Sequence, residues 1–126
     1  MLLLDTHTLL WWLAGDSQLP ASARLAIERA KVVHVSAVCT WEIAIKTQLG
    51  KLPGGEVLLA QLPDVLERQG FSELVITGRD AHLAGLLPRH HRDPFDRMLV
   101  AQALRHGLPL VSNDPLIAKY GVPMLW

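Results

Sequence analysis

The chain carries a single cysteine, Cys39, among its 126 residues. One thiol rules out an intrachain disulfide and a cysteine-based zinc site, and it fits a reducing compartment. No apolar run approaches the roughly 20 residues that a membrane-spanning helix needs. The opening Met1-Leu2-Leu3-Leu4-Asp5 has no basic segment before its apolar run and meets a carboxylate at once. It therefore does not read as a secretion signal, and a cytoplasmic protein is expected. Net charge is missing as well: 12 basic side chains balance 12 acidic ones. A domain that grips nucleic acid over a broad electrostatic surface is usually basic, so any such contact here must be local. Disorder is excluded, because half the residues are hydrophobic and only 19% are charged. A chain of this length is expected to form one domain, residues 1–126, whose core needs no crosslinks.

What is present is an alternation of short apolar runs and helical stretches. Met1 to Leu4 reads as a buried strand, followed by a short helix from Thr6 to Leu13 that ends at Gly15-Asp16. Pro20 restarts a helix through about Ala30, and Val32 to Val35 is the second strand. Ser36 suits the N-cap of a helix running to about Leu49. Glu56 to Arg68 reads as helical with a possible break at Pro63, Leu74 to Ile76 as the third strand, and Arg79 to Leu87 as a helix. For the helix from Pro94 to His106, Asp93 suits the N-cap, Pro94 the first turn and Gly107 the stop. Leu110 to Ser112 and Val122 to Trp126 complete the strands, with a turn or short helix at Asn113-Asp114-Pro115 between them. Strands alternating with helices predict an α/β domain with a mostly parallel central sheet of about five strands.

Four acidic residues fall where these elements start or stop. Ligands of open α/β sheets bind beyond the carboxyl ends of the strands. Asp5 ends strand one, Asp114 follows strand four, and Asp96 lies in the first turn of the helix after Asp93-Pro94. Glu42 shares a helix face with Val38 and Ile45, and a carboxylate in an apolar stripe must be paired, protonated or on a metal. Each has a plainer reading. Asp93 caps a helix, Asp96 favours a helix N-terminus, Asp114 suits a turn or cap before Pro115, and Glu42 can pair with Lys46 at i+4. The conjunction points to a hard cation, and hence to phosphate chemistry; all-oxygen ligation favours Mg²⁺ or Mn²⁺ over zinc. His90 and His91, with Arg89 and Arg92, form a small positive cluster beside the acids, read either as a solvated loop or as a phosphate contact. His7, close to Asp5, either supports the site or lies on a helix surface, and none of the six histidines has zinc-protease spacing.

These residues resemble a family. Leu2-Leu3-Leu4-Asp5-Thr6-His7, the segment from Ser36 to Ile43, the segment from Arg92 to Ala103, and Val111-Ser112-Asn113-Asp114 look like the motifs of PIN domains. Within them the chain is most similar to VapC-type toxins of bacterial type II toxin–antitoxin systems, in order from Leu2 to about Val122. The resemblance implies a three-layer α/β/α PIN-like fold and a Mg²⁺- or Mn²⁺-dependent endoribonuclease. Its catalytic and metal-binding acids fall on Asp5, Glu42, Asp96 and Asp114, with Thr6 supporting the site and a less secure role for Asp93. It also implies a cognate antitoxin protein, an RNA substrate and a homodimer, with no membrane. Trp11 and Trp12 cannot both face one core from a short helix: either the two flank a groove for an antitoxin helix, or the second ring caps the core edge. Arg97 is expected to meet an antitoxin carboxylate, an RNA phosphate or solvent.

Other functions fit the same residues less well. A non-catalytic PIN-like module that binds RNA or protein is disfavoured by the retention of all four acids. A haloacid-type phosphatase wants an Asp two residues after Asp5, where His7 stands, and a receiver-type domain wants an acidic pair and a late Lys that the chain lacks. Flap nucleases share the acidic site but need added elements for gripping DNA.

Overall fold

The computed structural model describes all residues, 1–126. Its strands are β1 (Leu2–Leu4), β2 (Val33–Ser36), β3 (Ser72–Leu74), β4 (Leu110–Val111) and β5 (Met124–Leu125). They form one sheet in the order β3-β2-β1-β4-β5, and every pairing is parallel. The helices are α1 (Thr6–Ala14), α2 (Ala21–Arg29), α3 (Ala37–Gln48), α4 (Gly55–Gln69), α5 (Gly78–Leu86), α6 (Pro94–His106) and α7 (Pro115–Ala118). The first two crossovers step one way along the sheet and the last two step the other way. Right-handed connections then put α1 to α4 and α5 to α7 on opposite faces, giving three layers. The direction reverses between β1 and β4, which opens a crevice at the carboxyl ends of those two strands.

The central strands are fully buried, as their unbroken apolar runs require: Leu3, Leu4, Val35, Leu110 and Val111 lie in one core of 24 residues. Leu9, Ile43, Leu99 and Ile117 press onto it from helices. Two expectations need correction. The third strand is Ser72–Leu74, not Leu74 to Ile76; its register pairs Ser72 with His34 and Leu74 with Ser36. It is an edge strand with two exposed residues, so it lacks the apolar signature that drew attention to Val75 and Ile76. Pro63 does not break α4, which runs through it; the residue is exposed, on the outer side of the helix. No helix is long and apolar enough to cross a membrane.

Candidate active site

Three helices of nine or more residues, α1, α3 and α6, begin at the carboxyl edge of the sheet, so their positive N-terminal dipoles favour anionic groups there. The sequence supplies acidic caps for α1, α6 and the short α7, while Ser36 caps α3. Asp5 Oδ1 accepts the Thr8 backbone N–H at 2.8 Å, Asp93 Oδ1 accepts those of Phe95 and Asp96, and Asp114 Oδ1 accepts that of Leu116 at 2.8 Å. The capping role is therefore real for all three. Each cap holds one carboxylate oxygen and leaves the second open to another partner.

For Asp114 the other oxygen has a visible partner. His91 Nε2 lies 2.8 Å from Asp114 Oδ2 and 3.0 Å from Asp96 Oδ2. His91 Nδ1 accepts the Asp93 backbone N–H at 3.1 Å, so in the neutral ring the proton sits on Nε2 and is shared between the two carboxylates. His91, Asp96 and Asp114 form a group whose ligand atoms lie within 4.8 Å of one another. The imidazole N–H thus stands between two acids, where a cation would also be held. Of the two readings of the histidine pair, the solvated loop does not describe His91, which turns inward. His90 instead packs its ring edge-on to Tyr120 at 5.0 Å.

Asp5 and Glu42 form the other side of the cluster. They are 6% and 3% exposed, which makes each an expensive place for a charge. Thr6 Oγ1 donates to Glu42 Oε1 at 2.7 Å, and Lys46 Nζ lies 2.6 Å from Glu42 Oε2. The i+4 pair foreseen as the plain reading of Glu42 is therefore present. Each carboxylate oxygen retains a further lone pair. The charges are felt across the site. Burial first, then the negative charges of Asp93, Glu42 and Asp5, push the Asp96 carboxyl up to about 7 against the opposing influence of His91. Beneath lies Cys39, whose thiol hydrogen-bonds Leu4 O. Burial pushes that thiol up to about 12 despite a bond with Thr6, and Asp5, Glu42 and Asp96 push the same way. It stays protonated and is no ligand at ordinary pH.

Arg97 departs from its expected role. Its guanidinium donates to the carbonyls of Ala84, Gly85 and Leu87 at the end of α5, and to those of Pro88 and His91. These include carbonyls that a helix terminus leaves without partners. Tyr120 joins in, donating to Pro88 O at 2.7 Å and accepting the His91 N–H at 2.9 Å. Together they hold the segment that carries His91 against the acids. Neither role has a local sequence signal, because the partners lie up to 32 residues away.

The tryptophans separate. Trp11 packs against His7 and Trp126 and lines an apolar-walled cavity of about 520 Å³ with Leu10, Leu52 and Leu58. Trp12 donates to Gln69 Oε1, packs near Phe71 and lines a different cavity. One groove cannot take both rings.

Hard carboxylate oxygens gathered at helix N-termini, with the Asp96 carboxyl pushed up to about 7 by burial and by its acidic neighbours, fit Mg²⁺ or Mn²⁺. The one departure from an all-oxygen set is His91.

Known proteins resemble this chain in sequence and in fold. The PIN domain family profile matches residues 2–123. Ribonuclease VapC22 of Mycobacterium tuberculosis (strain ATCC 25618 / H37Rv) is 31% identical over 122 residues, covering 96% of this chain and 92% of that protein. Among solved structures, VapBC2 from Rickettsia felis, bound to a DNA fragment from its promoter, superposes with a TM-score of 0.67 at 13% identity, covering 98% of both chains. FitAB bound to an IR36 DNA fragment gives 0.70 at 16% identity, covering 98% of this chain and 93% of that one. The chain belongs to the PIN domain family and, within it, groups with the VapC ribonucleases.

Proposed function

We propose that this protein is a Mg²⁺- or Mn²⁺-dependent endoribonuclease and the toxin of a toxin–antitoxin pair, with residues 1–126 forming one catalytic domain. The observation that carries the reading is the convergence of acids from four chain segments on the crevice between β1 and β4, with Asp96 pushed up to about 7 by its neighbours. Likeness to a protein named as a ribonuclease supports it. Asp5 and Asp96 are the primary metal ligands, and Glu42 and Asp114 complete the set directly or through water. When bound, the ion supplies a water that is nucleophilic near neutral pH and stabilises charge building on the phosphoryl oxygens. Thr6 and Lys46 hold the Glu42 carboxylate in one orientation. Either Glu42 or Asp114 accepts the proton of the attacking water, since both sit at the cluster with fixed geometry. The four acids repel RNA in the metal-free protein, so activity requires the ion.

A solved structure of the same fold is VapBC2 bound to a DNA fragment from its promoter, and together with the resemblance to VapC-type toxins it supports an antitoxin as partner. The cavity beside Trp11 offers an apolar segment of that protein a seat. A homodimer is supported by the aromatic surface at Trp41, 56% exposed and edge-on to Phe95 at 5.1 Å. The lone buried Cys39 is consistent with the cytoplasm.

A second reading, a non-catalytic RNA- or protein-binding module, is favoured by one observation: His91, Thr6 and Lys46 already satisfy several carboxylate oxygens of the cluster. The deciding experiment incubates purified RNA pools with antitoxin-free protein in Mg²⁺ or Mn²⁺ and in EDTA, alongside Asp5→Asn and Asp96→Asn. Discrete metal-dependent cuts lost in both folded variants support the nuclease. Well-folded, metal-loaded protein that cuts no pool supports the module. Cutting in EDTA refutes the metal mechanism.

A further inference from the structure

Sharing His91 with the acidic cluster is a cavity of about 590 Å³ with no hydrophobic residue in its wall: Gly85, Arg89, His91, Arg92 and Arg97 line it. Three guanidiniums around one space repel each other, and such a site persists only if the charge is solvated or met by an anion. No internal anion meets it. Every ion pair in the protein involves Lys46, His91, Arg105 or His106, and none involves these three arginines. Arg97 gives its hydrogen bonds to backbone carbonyls and the Tyr120 hydroxyl, so its position is fixed while its charge remains uncompensated. Arg89 and Arg92 are exposed and make no hydrogen bond within the chain, so their forks are free to turn inward. The Arg97 contacts also freeze the loop on which both arginines sit.

We propose that this arginine-lined cavity is a phosphate subsite for single-stranded RNA, with Arg89 and Arg92 gripping a backbone phosphate next to the one being cut. The inference rests on the nuclease reading. A chain of zero net charge has no broad field to draw in a polyanion, and four carboxylates at the site push it away. A compact positive wall sharing His91 with those acids supplies attraction where repulsion is strongest. Arg89 and Arg92 act in this scheme by positioning the strand; they touch no reacting atom.

The test uses the full chain with Arg89 and Arg92 both changed to Gln, and separately both to Lys. Binding of a labelled single-stranded oligoribonucleotide is followed by fluorescence anisotropy across a salt series, in the Asp5→Asn background so that the probe survives. Cleavage by the same substitutions in otherwise unaltered protein gives KM and kcat. Loss of one to two phosphate contacts should flatten the log–log salt dependence by about 0.7 per contact and weaken binding about tenfold near physiological salt. KM should rise with kcat nearly unchanged, and the Lys pair should recover most of the salt dependence. An unchanged salt dependence overturns the subsite, as does weakened binding with the same salt slope. Loss of antitoxin binding with RNA binding intact also overturns it and reassigns the arginines to a protein partner. Arginine-dependent RNA binding by a protein that cuts nothing supports the subsite while removing the nuclease reading. Cutting with unaltered KM in the Gln pair does the reverse.

Discussion

Replacing Asp96 with Asn should stabilise the metal-free protein, and the size of the effect follows from the site. The Asp96 carboxyl is displaced from an ordinary 3.8 to about 7 by burial and by Asp93, Glu42 and Asp5. At 1.36 kcal/mol per pH unit, ionising it in the folded protein costs about 4 kcal/mol more than in the unfolded chain. Relaxation and salt screening reduce this, so about 2 kcal/mol is a fair expectation. The sign is that of a raised acid. Between the unfolded and folded values the native state holds a proton that the unfolded chain has released. Stability therefore falls as pH rises from about 4 to about 7 and is flat above. Asn keeps the acceptor for His91 and removes the charge. For 126 residues the unfolding entropy makes 2 kcal/mol worth about 8 °C in Tm. Thermal unfolding followed by circular dichroism in EDTA at about pH 8 should show Asp96→Asn melting higher by that order, with the gap closing toward about pH 5. Mn²⁺ should then raise the unaltered protein's Tm more than the variant's. Equal melting at the alkaline end in EDTA would refute the reasoning, since it would mean the acids do not repel one another as placed.

Three further outcomes are expected. His91→Ala should bind Mn²⁺ several-fold more tightly by calorimetry, because the N–H that occupies Asp96 and Asp114 is gone; weaker binding would make His91 a ligand instead. Asp80 is fully buried, and although burial raises its carboxyl, hydrogen bonds from the Thr77 backbone, Arg105, Gln102 and the Thr77 hydroxyl hold it below the usual range. Its stabilisation is present above the unfolded value of about 3.9 and is lost as pH falls through the lower folded value, so an acid-unfolding profile of Asp80→Asn should lack that slope. Trp11→Ala should weaken antitoxin binding at least tenfold while Trp12→Ala leaves it nearly unchanged, as measured by titration calorimetry; equal effects would contradict the separate cavities they line (tenfold being about 1.4 kcal/mol).

The parts legible in the sequence are those whose causes are local. The α6 helix begins and ends where Asp93, Pro94 and Gly107 require, because capping is decided within a few residues. Ser36 starts α3 for the same reason, its hydroxyl oxygen accepting the Val38 N–H. β1 and β4 announce themselves as apolar runs because sheet neighbours and helices cover them completely. The edge strand β3 did not, since an exposed strand owes its place to its partner β2 and not to its own pattern. The same division runs through the site. Asp5, Asp96 and Asp114 were visible at element boundaries, whereas the inward turn of His91 depends on Tyr120 and Arg97, which meet it only after folding.

The strand order carries a consequence for synthesis. Since β1 and β4 are neighbours, the crevice between them draws acids from positions 5, 42, 96 and 114, and β5 closes the sheet with the last residues of the fold. No product of translation that stops short of residue 114 contains all four acids. Under the proposed nuclease reading, a growing chain stays inactive until Asp114 has emerged and β4 has slotted in beside β1. Under that reading, the interval in which a restraining partner is needed opens only once β4 is in place.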